Sequence, residues 1–227
     1  MKKFCISVCA MLFALCANAQ IMRVEELEDY AKEKYGSKWV DAATNLGSTL
    51  SLDKNNSLTY TQVIDCPGKS KSQLYVILNY WFTASFNDAN SVIQLNDKEA
   101  GCIIGQGYMP GVAQHAGGMS TYNVSLKPII KVDIKDEKVR VTYTIQSYNV
   151  NKLAGGGFVG AMSGARPVKV DETWVLEKCF PFTTEKDSHK KTSAKALIMA
   201  HAYSNVMMDK IEEAVKNGLS GNEGEDW

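Results

Sequence analysis

Residues 122–150, YNVSLKPIIKVDIKDEKVRVTYTIQSYNV, decide the fold. Val132 and Ile134 are answered across Asp136-Glu137 by Val139, Val141, Tyr143 and Ile145, while Lys131, Asp133, Arg140 and Thr142 fill the intervening positions. Strand side chains repeat every two residues, so this pattern predicts an antiparallel hairpin over Tyr122–Ile134 and Lys138–Val150, one face dry and the other wet. Pro128 has no N–H to give a ladder and marks a bulge or an edge early in the first strand.

Working back from the hairpin, Ser91–Leu95 and Cys102–Tyr108 read as short strands on either side of the turn residues Asn96-Asp97-Lys98-Glu99. Before them, Ser70 and Gln73 have the spacing of a capping box, and Leu74, Ile77, Leu78, Trp81, Phe82 and Phe86 form one helical face. Trp81 sits in the middle of that stripe, which makes it core and not a ligand platform. Leu58–Ile64 alternates as a strand and Cys66-Pro67-Gly68 closes it. An amphipathic helix is expected from Val24 to Leu46, with Gly36 and Ser37 as an interruption.

Past the hairpin, Val168–Leu176 is a strand candidate centred on Trp174, and Ala194–Val215 a last helix that ends at Asn217-Gly218. Two segments, Met109–Ser120 and Ala154–Pro167, read as loops; both set apolar side chains (Met109, Val112, Phe158, Val159, Met162) among glycines. The acidic, glycine-rich tail is expected to be disordered.

The segment Leu58–Asn149 resembles a known family. It carries a strand ending in Pro67-Gly68, the helix opening Ser70-Lys71-Ser72-Gln73-Leu74-Tyr75, Val92-Ile93-Gln94, Asp97-Lys98-Glu99 and Gly101-x-Ile103-Ile104-Gly105-x-Gly107. Together these are similar to an exported bacterial domain of unknown function, number four-four-six-eight, whose fold is like that of the TATA-binding protein (TBP). The resemblance implies strand, helix, four antiparallel strands and a closing helix, and it brings no established activity. The expected fold is therefore α+β, TBP-like, with an antiparallel sheet of four to six strands covered on one face by helices, plus an extra N-terminal helix. The expected organisation is a signal peptide over 1–19, a helical extension over 20–57, the α+β domain over 58–182, a helix packing on it over 183–217 and a tail over 218–227.

Lys2 and Lys3 precede an apolar run, Phe4–Cys16, that ends in Ala17-Asn18-Ala19. This is the pattern of a secretory signal peptide cleaved before Gln20, so the protein is expected to be periplasmic or secreted. Leu15 before Cys16 argues against a lipid anchor there. Losing Lys2 and Lys3 leaves 23 basic against 25 acidic side chains, a formal charge of −2, which offers no footprint for nucleic acid. No later apolar run is long enough to span a bilayer.

Of the remaining cysteines, Cys66, Cys102 and Cys179, an oxidising compartment allows one bridge at most, and the sequence does not choose the pair. Gly155-x-Gly157-x-x-Gly160 matches a dinucleotide fingerprint but lacks the following helix. Gly68-Lys69-Ser70 lacks the earlier glycine of a phosphate loop, and Ser51-x-x-Lys54 lacks the companion triplets of a penicillin-recognising enzyme. Asp53, Asn55 and Ser57 imitate a calcium loop, yet Leu58 and Ile64 stand where a glycine and an acid are needed. His115, His189 and His201 are not spaced as metal ligands. These residues predict no metal, no cofactor and no assigned catalytic residue.

The leading expectation is a non-enzymatic envelope or secreted module that binds an unknown protein or ligand through loops or an open sheet face. Two alternatives are a hydrolase-type enzyme built on Cys102 and His115 with Asp97 or Glu99, and a structural protein that assembles with itself through a terminal helix.

Overall fold

The computed structural model describes residues 21–86, 92–164, 166–179 and 190–218. The leader with Cys16 and the Gln20 cleavage site, Ser91, His189 and the tail beyond Gly218 lie outside these.

Two N-terminal helices, α1 (Val24–Tyr35) and α2 (Trp39–Gly47), stand where one interrupted helix is expected. Gly36 separates them in the left-handed region, at φ 93°, a conformation that ends a right-handed helix. Strand β1 (Leu58–Asp65) leads to α3 (Lys71–Ser85), whose Ser70 and Gln73 form the expected capping box. Seven strands follow: β2 (Ile93–Asp97), β3 (Cys102–Gln106), β4 (Met109–Ala116), β5 (Ser120–Leu126), β6 (Ile129–Lys135), β7 (Lys138–Ile145) and β8 (Ser147–Ala154). A short helix α4 (Phe158–Met162), strand β9 (Val168–Val175), a single turn α5 (Leu176–Cys179) and the long helix α6 (Lys190–Asn217) complete the chain.

All strand pairs are antiparallel, in a five-stranded sheet ordered β1-β7-β6-β3-β2 and a four-stranded sheet ordered β4-β5-β8-β9. The two sheets are halves of one bent surface. β3 continues into β4, β5 into β6 and β7 into β8 after only one or two residues, and the neighbours keep their order across the break. Gln106 pairs Ile129 and Met109 pairs Leu126, so the register runs unbroken through Gly107 and Pro128, where Gly107 N–H donates to the Pro128 carbonyl at 2.9 Å.

One strand further over, Ile129 pairs Thr144 but Leu126 pairs Tyr148, one residue out of step. Gln146 is the extra residue, and it acts as a bulge that bends and twists its strand. Its consequence is a change of parity. Before it Val139, Val141, Tyr143 and Ile145 are buried; after it Tyr148 and Val150 are.

The core lies under one face of this sheet. The hairpin register is the expected one, with Val132 opposite Val141 and Ile134 opposite Val139. Leu74, Ile77, Leu78, Trp81 and Phe82 of α3 are buried, and Phe82 lies so close to β3 that a Cβ on Gly105 would come within 2.6 Å of its ring. Helix α6 runs between the sheet and the α1–α2 pair, buried on several sides from Ala194 to Met208. Lys195 reaches Glu28 of α1 at 2.6 Å, and Asn205 donates to the Tyr35 hydroxyl at 2.8 Å.

Three expectations need correction. Met109–Ser120 is not a loop, because β4 occupies its first eight residues. Its alternation is hidden by a bulge between Met109 and Ala113, with Gly111 at φ 68°. The segment Ala154–Pro167 contains helix α4, and the long strands expected over 122–134 and 138–150 each divide at the bend.

Candidate functional site

The helices cover the inner face of the sheet and leave the outer face open. On β8 the burial of Tyr148 and Val150 turns Asn149 and Asn151 outward. Cross-strand register then sets Ser125 and Thr173 beside Asn149, and Asp171 beside Asn151. At the bend Gln106, Tyr108 and Lys127 close the ends of these rows, and the result is a trough of about 580 Å³.

Its lining mixes polar side chains, some of them pre-oriented, with apolar surface from Val92, Tyr108 and Val150. Asn151 Nδ2 donates to Asp171 Oδ1 at 2.7 Å, and Ser125 Oγ donates to the Asn149 carbonyl at 3.2 Å. Tyr108 is the exposed aromatic of the trough, at 55%. Glu172 is already engaged by Lys152 at 3.4 Å and by the Trp174 indole N–H at 3.2 Å.

The other half of the open face is an ion-pair lattice. Asp133 receives Lys131 at 2.9 Å and Arg140 at 2.7 Å. Desolvation works to raise the Asp133 carboxyl, but hydrogen bonds from Arg140 and Lys131 outweigh it and hold the group below its ordinary range. Lys138 pairs with Asp65 at 3.1 Å nearby.

The two glycine-bearing segments meet at the far end of the four-stranded sheet. The Val159 and Gly155 N–H groups donate to the Gly118 and Met119 carbonyls at 2.7 and 2.8 Å. A Cβ on Gly157 would lie 2.2 Å from the Gly117 carbonyl oxygen, and one on Gly160 would lie 2.3 Å from that of Gly155. These glycines allow backbones to touch and form no phosphate cradle. Phe158 and Met162, each 75% exposed, crown this tip.

The remaining sequence candidates fall apart in space or resolve into local structure. Cys102 opens β3 and pairs with Asp133, whereas His115 lies near the far end of β4 with its ring against Tyr122. The bent strand between them keeps them at opposite ends of the sheet, so the structure corrects the Cys102–His115 alternative: no nucleophile–base pair forms. Burial also pushes the Cys102 thiol up, and Asp133 pushes it the same way, which is the wrong direction for a nucleophile. Asp97 accepts the Ala100 N–H, and the Glu99 carbonyl takes Lys71.

No disulfide joins Cys66, Cys102 and Cys179. Asp53 accepts from the Asn55 and Ser57 backbones and from Thr59, which makes the calcium-like stretch a turn. The Gly68 N–H donates to the Glu137 carboxylate at 2.8 Å, a poor neighbour for a phosphate. His201 lies between helix and sheet, its Nδ1 3.0 Å from the Tyr60 hydroxyl. No cluster of three or more His, Cys, Asp or Glu residues fit for a metal occurs among the described residues.

Sequence reasoning missed the trough. A signal for it was present in Asn123, Ser125, Asn149 and Asn151, since asparagine is depleted from strands and a purely solvated face would favour longer charged side chains.

Fold and site together define an α+β protein whose helices cover one side of a bent antiparallel sheet and whose other side holds a trough. Residues 60–149 match the family model described as Domain of unknown function (DUF4468) with TBP-like fold. The match begins in β1 and ends in β8, so it includes Gln106, Tyr108, Ser125, Lys127 and Asn149 of the trough; Asn151, Asp171 and Thr173 come after it. Two solved structures are similar. A TBP-like protein from Parabacteroides distasonis shares 12% identity over 71% of this chain and 95% of its own, with a TM-score of 0.45. A DUF4468 family protein from Bacteroides ovatus shares 13% over 73% and 90%, with a TM-score of 0.44. No curated protein matches the chain significantly.

Proposed function

We propose that this protein is an exported, non-enzymatic binding module that holds its ligand on the open face of the bent sheet. The observation that carries this reading is the trough itself, a concavity of ligand size in which outward-facing side chains from three neighbouring strands converge. A non-catalytic role is supported by the separation of Cys102 from His115 and by the raised Cys102 thiol. Export rests on Lys2, Lys3, the apolar run and Ala17-Asn18-Ala19. No helix among the described residues is long and apolar enough to cross a membrane.

The test is an NMR titration of the isotope-labelled chain with mixed pools of sugars, short peptides and nucleotides. A ligand is expected to shift the backbone signals of Gln106, Ser125, Asn149 and Thr173, and the double variant Asn149→Leu, Asn151→Leu to lose it. Ligands that map only elsewhere, or that emerge chemically changed, would defeat the proposal. Export is checked separately by the intact mass of the native protein, expected to begin at Gln20; a retained Met1 or a lipid on Cys16 would overturn it.

A further inference from the structure

Resting on that reading of the trough, we infer that its ligand is a neutral oligosaccharide. The first argument is charge. Among the described residues Lys127 is the lining ionic side chain left to face a ligand, because Asp171 is held by Asn151 at 2.7 Å and pairs with Lys169 at 4.0 Å, and Glu172 is taken up by Lys152 and Trp174. A phosphorylated or polyanionic ligand would need several uncommitted cations, and a cationic one several carboxylates. The trough offers neither.

The second argument is the kind of polar group present. Gln106, Asn149 and Asn151 carry amides, Ser125 and Thr173 hydroxyls, and every one of these can both donate and accept. A sugar hydroxyl is likewise donor and acceptor at once, so a surface of dual-character groups suits a chain of hydroxyls. Asn151 and Asp171 add planar side chains held in register by their mutual 2.7 Å hydrogen bond, so Asn151 presents its Oδ1 and Asp171 its Oδ2 in fixed directions. Such pre-orientation reduces the entropy lost on binding.

The third argument is Tyr108. A largely exposed ring beside a trough has no core to serve. It provides an apolar plate for the C–H face of a pyranose, the combination of aromatic body and polar surroundings that favours tyrosine at wet interfaces.

Shape decides between one sugar and several. Strands lie about 4.8 Å apart and same-face residues about 6.7 Å apart along a strand, so the grid from Gln106 across to Thr173 is wider than a single ring. The trough of about 580 Å³ is open to solvent, which admits a chain and would leave a monosaccharide largely in water. Because each hydrogen bond replaces one already made to water, the affinity should be modest, with Kd on the order of 0.1–1 mM.

The experiment is an NMR titration of the chain from Gln20 to Trp227 with neutral hexasaccharides of glucose, xylose, mannose and N-acetylglucosamine. Hexagalacturonate, inorganic phosphate and a polar hexapeptide serve as comparison ligands. At least one neutral hexasaccharide is expected to shift signals of residues 106–108, 125–127, 149–151 and 171–173. Tyr108→Ala and Asn151→Leu should each weaken it about tenfold, while Phe158→Ser, at the distant tip, leaves it unchanged. All three positions are on the surface, and unchanged spectral dispersion verifies folding. If no neutral hexasaccharide moves those signals at millimolar concentration, or Tyr108→Ala binds as wild type does, the inference is wrong. If phosphate, hexagalacturonate or the peptide binds the trough instead, the saccharide assignment falls while the trough remains the binding site. If a saccharide binds but shifts only signals outside the trough, both readings fall.

Discussion

Tyr143 and Tyr148 are fully buried, and their hydroxyls find no hydrogen-bond partner. An unpartnered buried hydroxyl carries its desolvation cost without return. Tyr143→Phe and Tyr148→Phe should therefore leave the denaturant midpoint unchanged or raise it, whereas a loss of about 1 kcal/mol or more would reveal a partner. Trp81 is the opposite case. It is only 8% exposed and meets Phe82 and Phe86 edge-on, so Trp81→Ala should cost about 3–5 kcal/mol through lost burial and the cavity left behind.

His201 gives the fold a pH dependence. Burial, with a smaller push from Lys34, lowers its pKa to about 4, and the groups facing it are Tyr60 of β1 and Tyr35 of α1. The imidazole is neutral in the fold but takes up a proton below about pH 6.5 once unfolded. Its contribution is present above that pH and is lost as pH falls toward 4, a window that begins before the carboxylates titrate. Denaturant midpoints should decline from pH 6.5 to 4.5, and His201→Gln should flatten that part of the profile.

Among the elements, α3 shows how local and distant signals combine. Its capping box is local and was legible from Ser70 and Gln73 alone. Its first N–H, on Lys71, is instead satisfied by Asp136 of the β6–β7 turn at 2.7 Å, which the sequence could present only as a turn residue. A carboxylate at a helix N-terminus meets both an orphan donor and the positive end of the helix dipole. Asp136→Ala is expected to cost about 1 kcal/mol in equilibrium unfolding, and Asp136→Asn less, if that bond is made.

Legibility follows the same division. The hairpin, α3 and the broad course of α6 were readable because each rests on a period within a single segment. β4 was not, because Gly111 and its bulge break the alternation that identifies a strand. The trough was invisible for a different reason: it exists only where Gln146 shifts the parity of β8 and register aligns three strands that are distant in sequence. The glycine pattern at 155–160 was legible as unusual, but its cause, the close approach of Gly157 to Gly117, is tertiary. Gly157→Ala should accordingly cost on the order of 1–3 kcal/mol by forcing two backbones apart.

At the scale of the whole molecule, α6 holds the layers together. It touches β1 and β4 on one side, α1 and α2 on the other, and α3 along its flank. Between Ala194 and Ile211 it buries Leu197, Ile198, Met199, Met207 and Ile211 completely. A helix buried on several sides belongs to the core, wherever it falls in the chain. The segment that the family model matches, residues 60–149, should therefore not stand alone here: without α6 the inner faces of β1 and β4 and the flank of α3 would be left open to water. A chain truncated after Cys179 retains every described strand together with α3. It is nonetheless expected to lose cooperative unfolding and bind a hydrophobic dye, because a sheet with one uncovered apolar face cannot offset its conformational entropy. Adding a peptide spanning residues 190–218 should restore a sharp thermal transition in proportion to its occupancy. A truncated chain that already unfolds cooperatively, with the midpoint of the full chain, would show that α6 is an appendage and that the sheet finds its stability elsewhere.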